Sequence, residues 1–206
     1  LVGVDGSPES LGAVDWAVAR AARDGWRVHI LCAYSLPSFT TASLDGGYAA
    51  LDDTAVRSGA QAVVDEAVAR AQDKDVTVTG SLETGDPAGV LVDLSGEAAL
   101  AVVGTRGGGG FADRLLGTVS SALPAHAYCP TIVVPRHTEG AEYTPVRRIV
   151  VGVDGSESAR KALRWAVREA EAWEAELTAI AAVPMASGAG ALAWLPAAVD
   201  REQVLA

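Results

Sequence analysis

The sequence predicts a doubly wound α/β fold, a mostly parallel five-stranded sheet with helices on both faces. Three observations carry that expectation. Short apolar runs alternate along the chain with longer stretches whose apolar residues recur at helical spacing. Two of those helical stretches open on a capping residue followed by proline, Ser7-Pro8 and Asp86-Pro87. The opening pattern also returns, because VGVDGS at residues 2–7 is read again at residues 151–156.

The first strand is short, apolar and ends at Asp5. Leu11, Val14, Val18 and Ala21 then form the stripe of a first helix, and Val28 to Ala33 is the second strand. Residues 35–47, with Ser, Thr, Pro and a Gly-Gly pair, read as a long loop before a helix over about 50–72. Val76, Val78, Gly80 and Leu82 alternate as a third strand. Leu100 to Val103 is a fully apolar fourth strand, and Thr131 to Val134 a fifth. Strict alternation of strand and helix implies a parallel sheet covered on both faces, and right-handed crossovers make it doubly wound.

The repeat extends beyond its hexapeptide. At the same offset of 149 residues Trp16, Ala17 and Val18 meet Trp165, Ala166 and Val167, and the match runs without gaps to about residue 34. The expected organisation is a first domain over 1–135, a linker over 136–146 marked by Pro135, Gly140 and Pro145, and a second copy over 147–206. That copy reads as strand, helix and strand up to Val183, with a further helix beginning over Leu195–Ala206. Judged by the first copy, completion needs roughly 80 more residues, so an incomplete tandem repeat is expected.

A formal charge of −10 and a pI near 4.7 argue against nucleic acid as a partner, since a phosphate backbone needs a basic face. They leave room for one nucleotide, which backbone N–H groups at a helix N-terminus hold without net positive charge. No apolar run approaches the ~20 residues that span a bilayer, and a cytoplasmic protein is expected. Cys32 and Cys129 stand apart, outside any CxxC pair, and read as small buried hydrophobes, with a disulfide between them as the lesser alternative.

Two glycine-bearing segments follow strands: VGVDGS after the first and GTRGGGGFADRLLGTVSS after the fourth. Ligands of doubly wound sheets bind beyond the carboxyl ends of the strands, where successive connections leave in opposite directions. Should strand four lie beside strand one, both segments meet there. The second segment spaces its residues as Gly104-x2-Gly107-x9-Gly117-Thr118. Glycines let the backbone approach phosphates closely, and Gly117, Thr118, Val119 and Ser120 open a helix whose free N–H groups favour anions. No lysine follows at the Walker A position. The competing reading of residues 107–110 is a glycine hinge without a ligand, and that of Asp5-Gly6 is plain turn chemistry.

These residues resemble the ATP-binding branch of the universal stress protein family, whose G-2x-G-9x-G-[S/T] signature Gly104, Gly107, Gly117 and Thr118 match without a gap. The resemblance covers residues 1–135 and the start of a second, Rossmann-like domain, and the tandem arrangement is similar to actinobacterial members. It implies that ATP, with Mg²⁺, is bound at the ends of strands one and four. Asp5 would then contact adenine or ribose, Val4 and Ala33 would line the adenine pocket, and Gly3 would be among the cofactor-binding residues. Val103 and Gly104 would border the ribose, Arg106 and Gly107 would approach the phosphates, and Gly117, Thr118, Val119 and Ser120 would close the cradle. The resemblance further implies a stress-resistance role and homodimers paired through the Thr131–Val134 strand. Asp154 repeats Asp5 in the second copy, and at the same offset the counterpart of the glycine segment would fall after residue 206.

Catalysis has less to stand on. His29, His126 and His137 fall on a strand, a helix end and the linker, and no G-x-S-x-G or H-E-x-x-H occurs. Asp113 and Arg114 lie within the nine-residue spacer as solvated loop residues that could touch phosphate or metal. A nucleotide-binding regulatory module is the leading reading. A slow ATPase or nucleotide-transferring enzyme and a ligand-free dimerisation scaffold are the alternatives.

Overall fold

A computed structural model describes residues 1–35, 53–72, 74–105, 107, 116–136 and 143–182. The chain divides into two compact units, Leu1–Tyr143 and Thr144–Ala206. Most of the loop expected over 35–47, the helix expected over Leu195–Ala206, and Asp113, Arg114 and His137 lie outside the described residues.

In the first unit β1 (Val2–Gly3) is central, with β2 (Val28–Tyr34) on one side and β4 (Ala101–Gly104) on the other. β3 (Val78–Thr84) and β5 (Thr131–Val134) form the edges, giving the order β3-β2-β1-β4-β5 with every pairing parallel. The doubly wound sheet is therefore observed. β1 is shorter than expected, although the Val4 N–H still donates to Leu31 O at 2.9 Å. β1 meets β4 only at Val2↔Val102, and beyond that level the chain turns into the segment that caps the next helix. β3 begins two residues late because its ladder starts where β2 does, at Val28↔Val78.

α1 (Pro8–Asp24) and α2 (Asp53–Ala71) pack on one face, and α3 (Pro87–Leu94) and α4 (Thr118–His126) on the other. Strand alternation sorts the core accordingly. Leu31, Ala101 and Val103 point towards α3 and α4, where they pack with Leu91 and Leu123. α1 buries Ala13, Val14, Trp16, Ala17, Val18 and Ala21. Full burial of each large apolar side chain contributes about 1.5–3 kcal/mol.

Both expected caps form. Ser7 accepts from the Ser10 N–H, Asp86 accepts from the Gly89 N–H, and a proline follows each. α1 stops at Gly25, whose φ of +66° is left-handed and costs glycine nothing. Gly80 clears the way for α2, since a β-carbon there would stand 2.6 Å from Val64 Cγ1 and 2.8 Å from Val68 Cγ2. The two helices are clasped by Arg70 of α2 and Asp15 of α1.

The second unit repeats the opening: β6 (Arg148–Gly152), α5 (Glu157–Trp173) and β7 (Glu176–Ile180), with β6 and β7 parallel. Ser156 caps α5 as Ser7 caps α1, and Glu174, at φ +55°, stands where Gly25 stands in the first copy.

Candidate functional site

The site is the carboxyl edge of the sheet between β1 and β4. There the chain leaves β1 towards β2 and leaves β4 towards β5, in opposite directions along the sheet. Asp5 follows β1 and organises the turn beyond it. Its Oδ1 accepts from the Ser7 N–H at 3.0 Å and from the Ser7 hydroxyl at 2.6 Å, around Gly6 at φ +80°. The Ser10 hydroxyl donates to Ser7 O at 2.9 Å and accepts from the Asp5 N–H at 3.3 Å. The turn is thus locked onto the first turn of α1.

Gly107 comes to this turn from the other side of the crevice. A β-carbon on it would overlap Asp5 Oδ2, so the close approach expected of this glycine exists, and its nearest neighbour is the Asp5 carboxylate. Thr105, just past β4, is the joint of this half of the site. Its N–H donates to Val134 O, and its carbonyl accepts from the Gly117 N–H at 2.9 Å and the Ser120 hydroxyl at 2.8 Å. α4 is thereby moored with its N-terminus at the crevice.

The helix opens on Gly117 without a side-chain cap. The amides of Thr118, Val119 and Ser120 precede the first i→i−4 acceptor, which is Gly117 O for Ser121, and they have no acceptor among the described residues. Three N–H groups unpaired among the described residues, with the positive end of the helix dipole, make this a place for an anion.

Several expected site residues also have packing or hydrogen-bonding roles within the fold. Gly3 lies inside β1, and a β-carbon would stand 2.7 Å from Leu91 Cδ1, so its glycine admits α3. Val103 is buried in the core beside Leu31 and Leu123. At Gly104 a side chain would strike α1 itself, 2.6 Å from Glu9 C and 2.8 Å from Glu9 O, so this glycine seats the first turn of α1 on β4. The Gly117 N–H is already engaged by Thr105, and the Ser120 hydroxyl is turned inward to the same carbonyl, leaving its amide as the outward donor. Arg106 lies outside the described residues. Val4 is buried at the crevice floor. Ala33, half-buried, stands level with Asp5 by the register that pairs Gly3 with Leu31.

Two contributors escape sequence reasoning. Thr105 acts through its backbone, which no side-chain pattern marks. Glu9 is buried, with Oε1 3.8 Å from Arg136 Nε, and as an acid in a first helical turn it reads as ordinary dipole compensation. Beneath the turn Cys32 is free and buried, and burial followed by the nearby Asp5 charge pushes its thiol up and keeps it protonated. His29 contributes nothing here, because its ring nitrogens lie 2.9 Å from Thr79 Oγ1 and 3.0 Å from Ser81 Oγ on β3.

The model of the universal stress protein family matches residues 1–135 and 145–206. This chain belongs to the universal stress protein family. A universal stress protein of Mycobacterium tuberculosis is 31% identical over 191 residues, covering 87% of this chain and 62% of the relative. One from Mycobacterium bovis is 32% identical over 190 residues with the same coverage. The chain thus spans about 62% of the length of these curated relatives. Among solved structures, a universal stress protein in complex with cAMP is 29% identical with a TM-score of 0.50, covering 66% of this chain and 94% of that one. A universal stress protein from Archaeoglobus fulgidus, 19% identical, shares the fold over 89% of this chain and 66% of its own, with a TM-score of 0.67. Among the described residues no helix is long and apolar enough to cross a membrane.

Proposed function

We propose that residues 1–135 form a domain that binds adenine nucleotide as ATP with Mg²⁺, and that the protein is a nucleotide-dependent regulatory module of stress resistance in the cytoplasm. Residues 136–146 are its linker, and residues 147–206 belong to a second domain of the same type. The observation that carries the reading is the trio of amides at Thr118, Val119 and Ser120, without acceptors among the described residues, at the crevice where Asp5 and Gly107 meet.

The amides and the α4 dipole hold the phosphates, joined by Gly107 and Arg106. Asp5 reaches the ribose or adenine, which rests on Val4 and Ala33. Gly3, Val103, Gly104 and Gly117 shape the crevice from behind. The relative solved with cAMP supports an adenine nucleotide as the ligand. Among the described residues no group of three or more His, Cys, Asp or Glu stands ready for a metal, so Mg²⁺ is held chiefly by phosphate and water oxygens. Hydrolysis is far below the turnover on the order of 10 s⁻¹ of ordinary enzymes, because Asp5, the carboxylate that faces Gly107, has its Oδ1 tied to Ser7. The β5 edge pairs two copies into a dimer.

The test is the nucleotide content of purified protein, released by denaturation and identified by chromatography, followed by ATP titration of the stripped protein. Adenine nucleotide near one per first domain, or saturable ATP binding, is expected. Protein that carries none and takes up none at about 1 mM ATP overturns the reading.

A further inference from the structure

The two copies agree where the first helix faces its own sheet and differ in charge where it faces outward. At the offset of 149, Ala13, Trp16, Ala17 and Val18 of α1 are matched by Ala162, Trp165, Ala166 and Val167 of α5. The outer positions Leu11, Gly12, Asp15 and Ala19 are matched by Arg160, Lys161, Arg164 and Arg168, all four exposed. At 3.6 residues per turn these positions fall within one arc of about 100°. A four-cation face is unusual on a chain of net charge −10.

The first copy shows what sits on this margin. Arg70 of α2 donates from Nε to Asp15 Oδ1 at 2.8 Å and from Nη2 to Asp15 Oδ2 at 2.6 Å, a two-pronged clasp between helices far apart in sequence. On α5 the place of Asp15 is taken by Arg164. Lys161 Nζ lies 3.5 Å from Glu157 Oε1, and Arg160 donates to Gly155 O at 3.3 Å. Arg164 and Arg168 have no anionic partner among the described residues. A buried position inverts as well. Arg20, paired with Asp24 and stacked on Trp26, is replaced by Glu169, which accepts from Trp173 Nε1.

We propose that the outer face of α5 is the docking surface of an acidic helix, one bearing carboxylates where α2 bears arginine. The inversion makes each helix seam specific to its own copy. Two repeats of one fold offer nearly interchangeable surfaces, and exchange of elements between them is a characteristic failure of tandem proteins. Charge at a helix margin sets partner choice, as at coiled-coil flanks. A half-exposed ion pair adds little stability. Four like charges facing the wrong helix still discriminate, because mismatch is penalised repeatedly.

Two experiments on the full chain test this. In the first copy, Asp15→Arg transplants the α5 charge, and Arg70→Glu supplies the acidic partner. Each alone should speed amide exchange in α2 about threefold, and the double variant should return to near the native rate. For α5 itself, the probe is a labelled peptide of residues 53–71 with Arg57→Glu and Arg70→Glu, read by fluorescence anisotropy. It should bind the chain at least about tenfold more tightly than the unaltered peptide, and lose about tenfold with Arg164→Gln/Arg168→Gln, a variant checked for native circular dichroism. Equal affinity of the two peptides, affinity untouched by that variant, no saturable binding by about 1 mM peptide, or a double reversal no better than the singles overturns the proposal.

Discussion

Gly107 faces the Asp5 carboxylate so closely that a β-carbon would overlap Oδ2 and stand 3.1 Å from Cγ. One glycine of the spaced motif is thus bound to the acid that ends the first strand, through space that only a hydrogen can occupy. The same carboxylate builds the turn that caps α1, so a change at Gly107 travels into that turn through Oδ1 and Ser7.

Gly107→Ala therefore disturbs the crevice through Asp5. Affinity for ATP is expected to fall at least about tenfold, or ~1.4 kcal/mol. With Asp5→Ala already in place the obstacle is gone, and the same substitution should cost less than half as much. Calorimetry on the four proteins of the cycle checks this, and strictly additive losses would count against Asp5 as the obstacle.

Gly104 is a packing glycine. The atoms a β-carbon would meet, Glu9 C and O, belong to the helix backbone and cannot rotate aside. Gly104→Ala should destabilise the first unit by about 1–3 kcal/mol in urea unfolding. Gly12, inside α1 with nothing within 4 Å of its missing β-carbon, makes the opposite case. Gly12→Ala should stabilise by about 0.5–1 kcal/mol. A tolerated Gly104→Ala would mean that α1 can lift from β4.

Burial lowers the pKa of His29, with Glu83 acting against it. The folded state therefore prefers the neutral ring more than the unfolded state does. Above the unfolded value of about 6.5 the stabilisation is whole, and it is lost as the pH falls through that value and towards the lower folded one. The urea midpoint of the first unit should drop between pH 7 and pH 5, and His29→Gln should flatten that drop. An unchanged slope in the variant would assign the pH response elsewhere.

The carbonyls of Pro130 and Val134 accept from β4, so by alternation the Thr131 and Val133 N–H groups face away from the sheet. Thr131→Pro removes an outward donor while leaving the β4 ladder intact. If two copies pair along this edge, the substitution should weaken the dimer at least about tenfold in sedimentation equilibrium. Native-like association of the variant would move the interface elsewhere.

What the sequence determined alone is local chemistry and its order. Strand-helix alternation, the Ser7-Pro8 and Asp86-Pro87 caps and the offset repeat are properties of neighbouring residues, so they were legible and they specify a doubly wound sheet. The meeting of Asp5 with the segment after β4 was legible too, because topology dictates where such strand ends converge. The use of each glycine was not. Close approach of a ligand, of a carboxylate and of a helix backbone all demand the same absent β-carbon, so spacing could not separate Gly107 from Gly104 or Gly3. Only the tertiary structure decided which atom fills that space: Asp5 for the first, Glu9 for the second, Leu91 for the third. It also assigned Thr105 its role, since a carbonyl that moors a helix belongs to every residue type and is chosen by position alone.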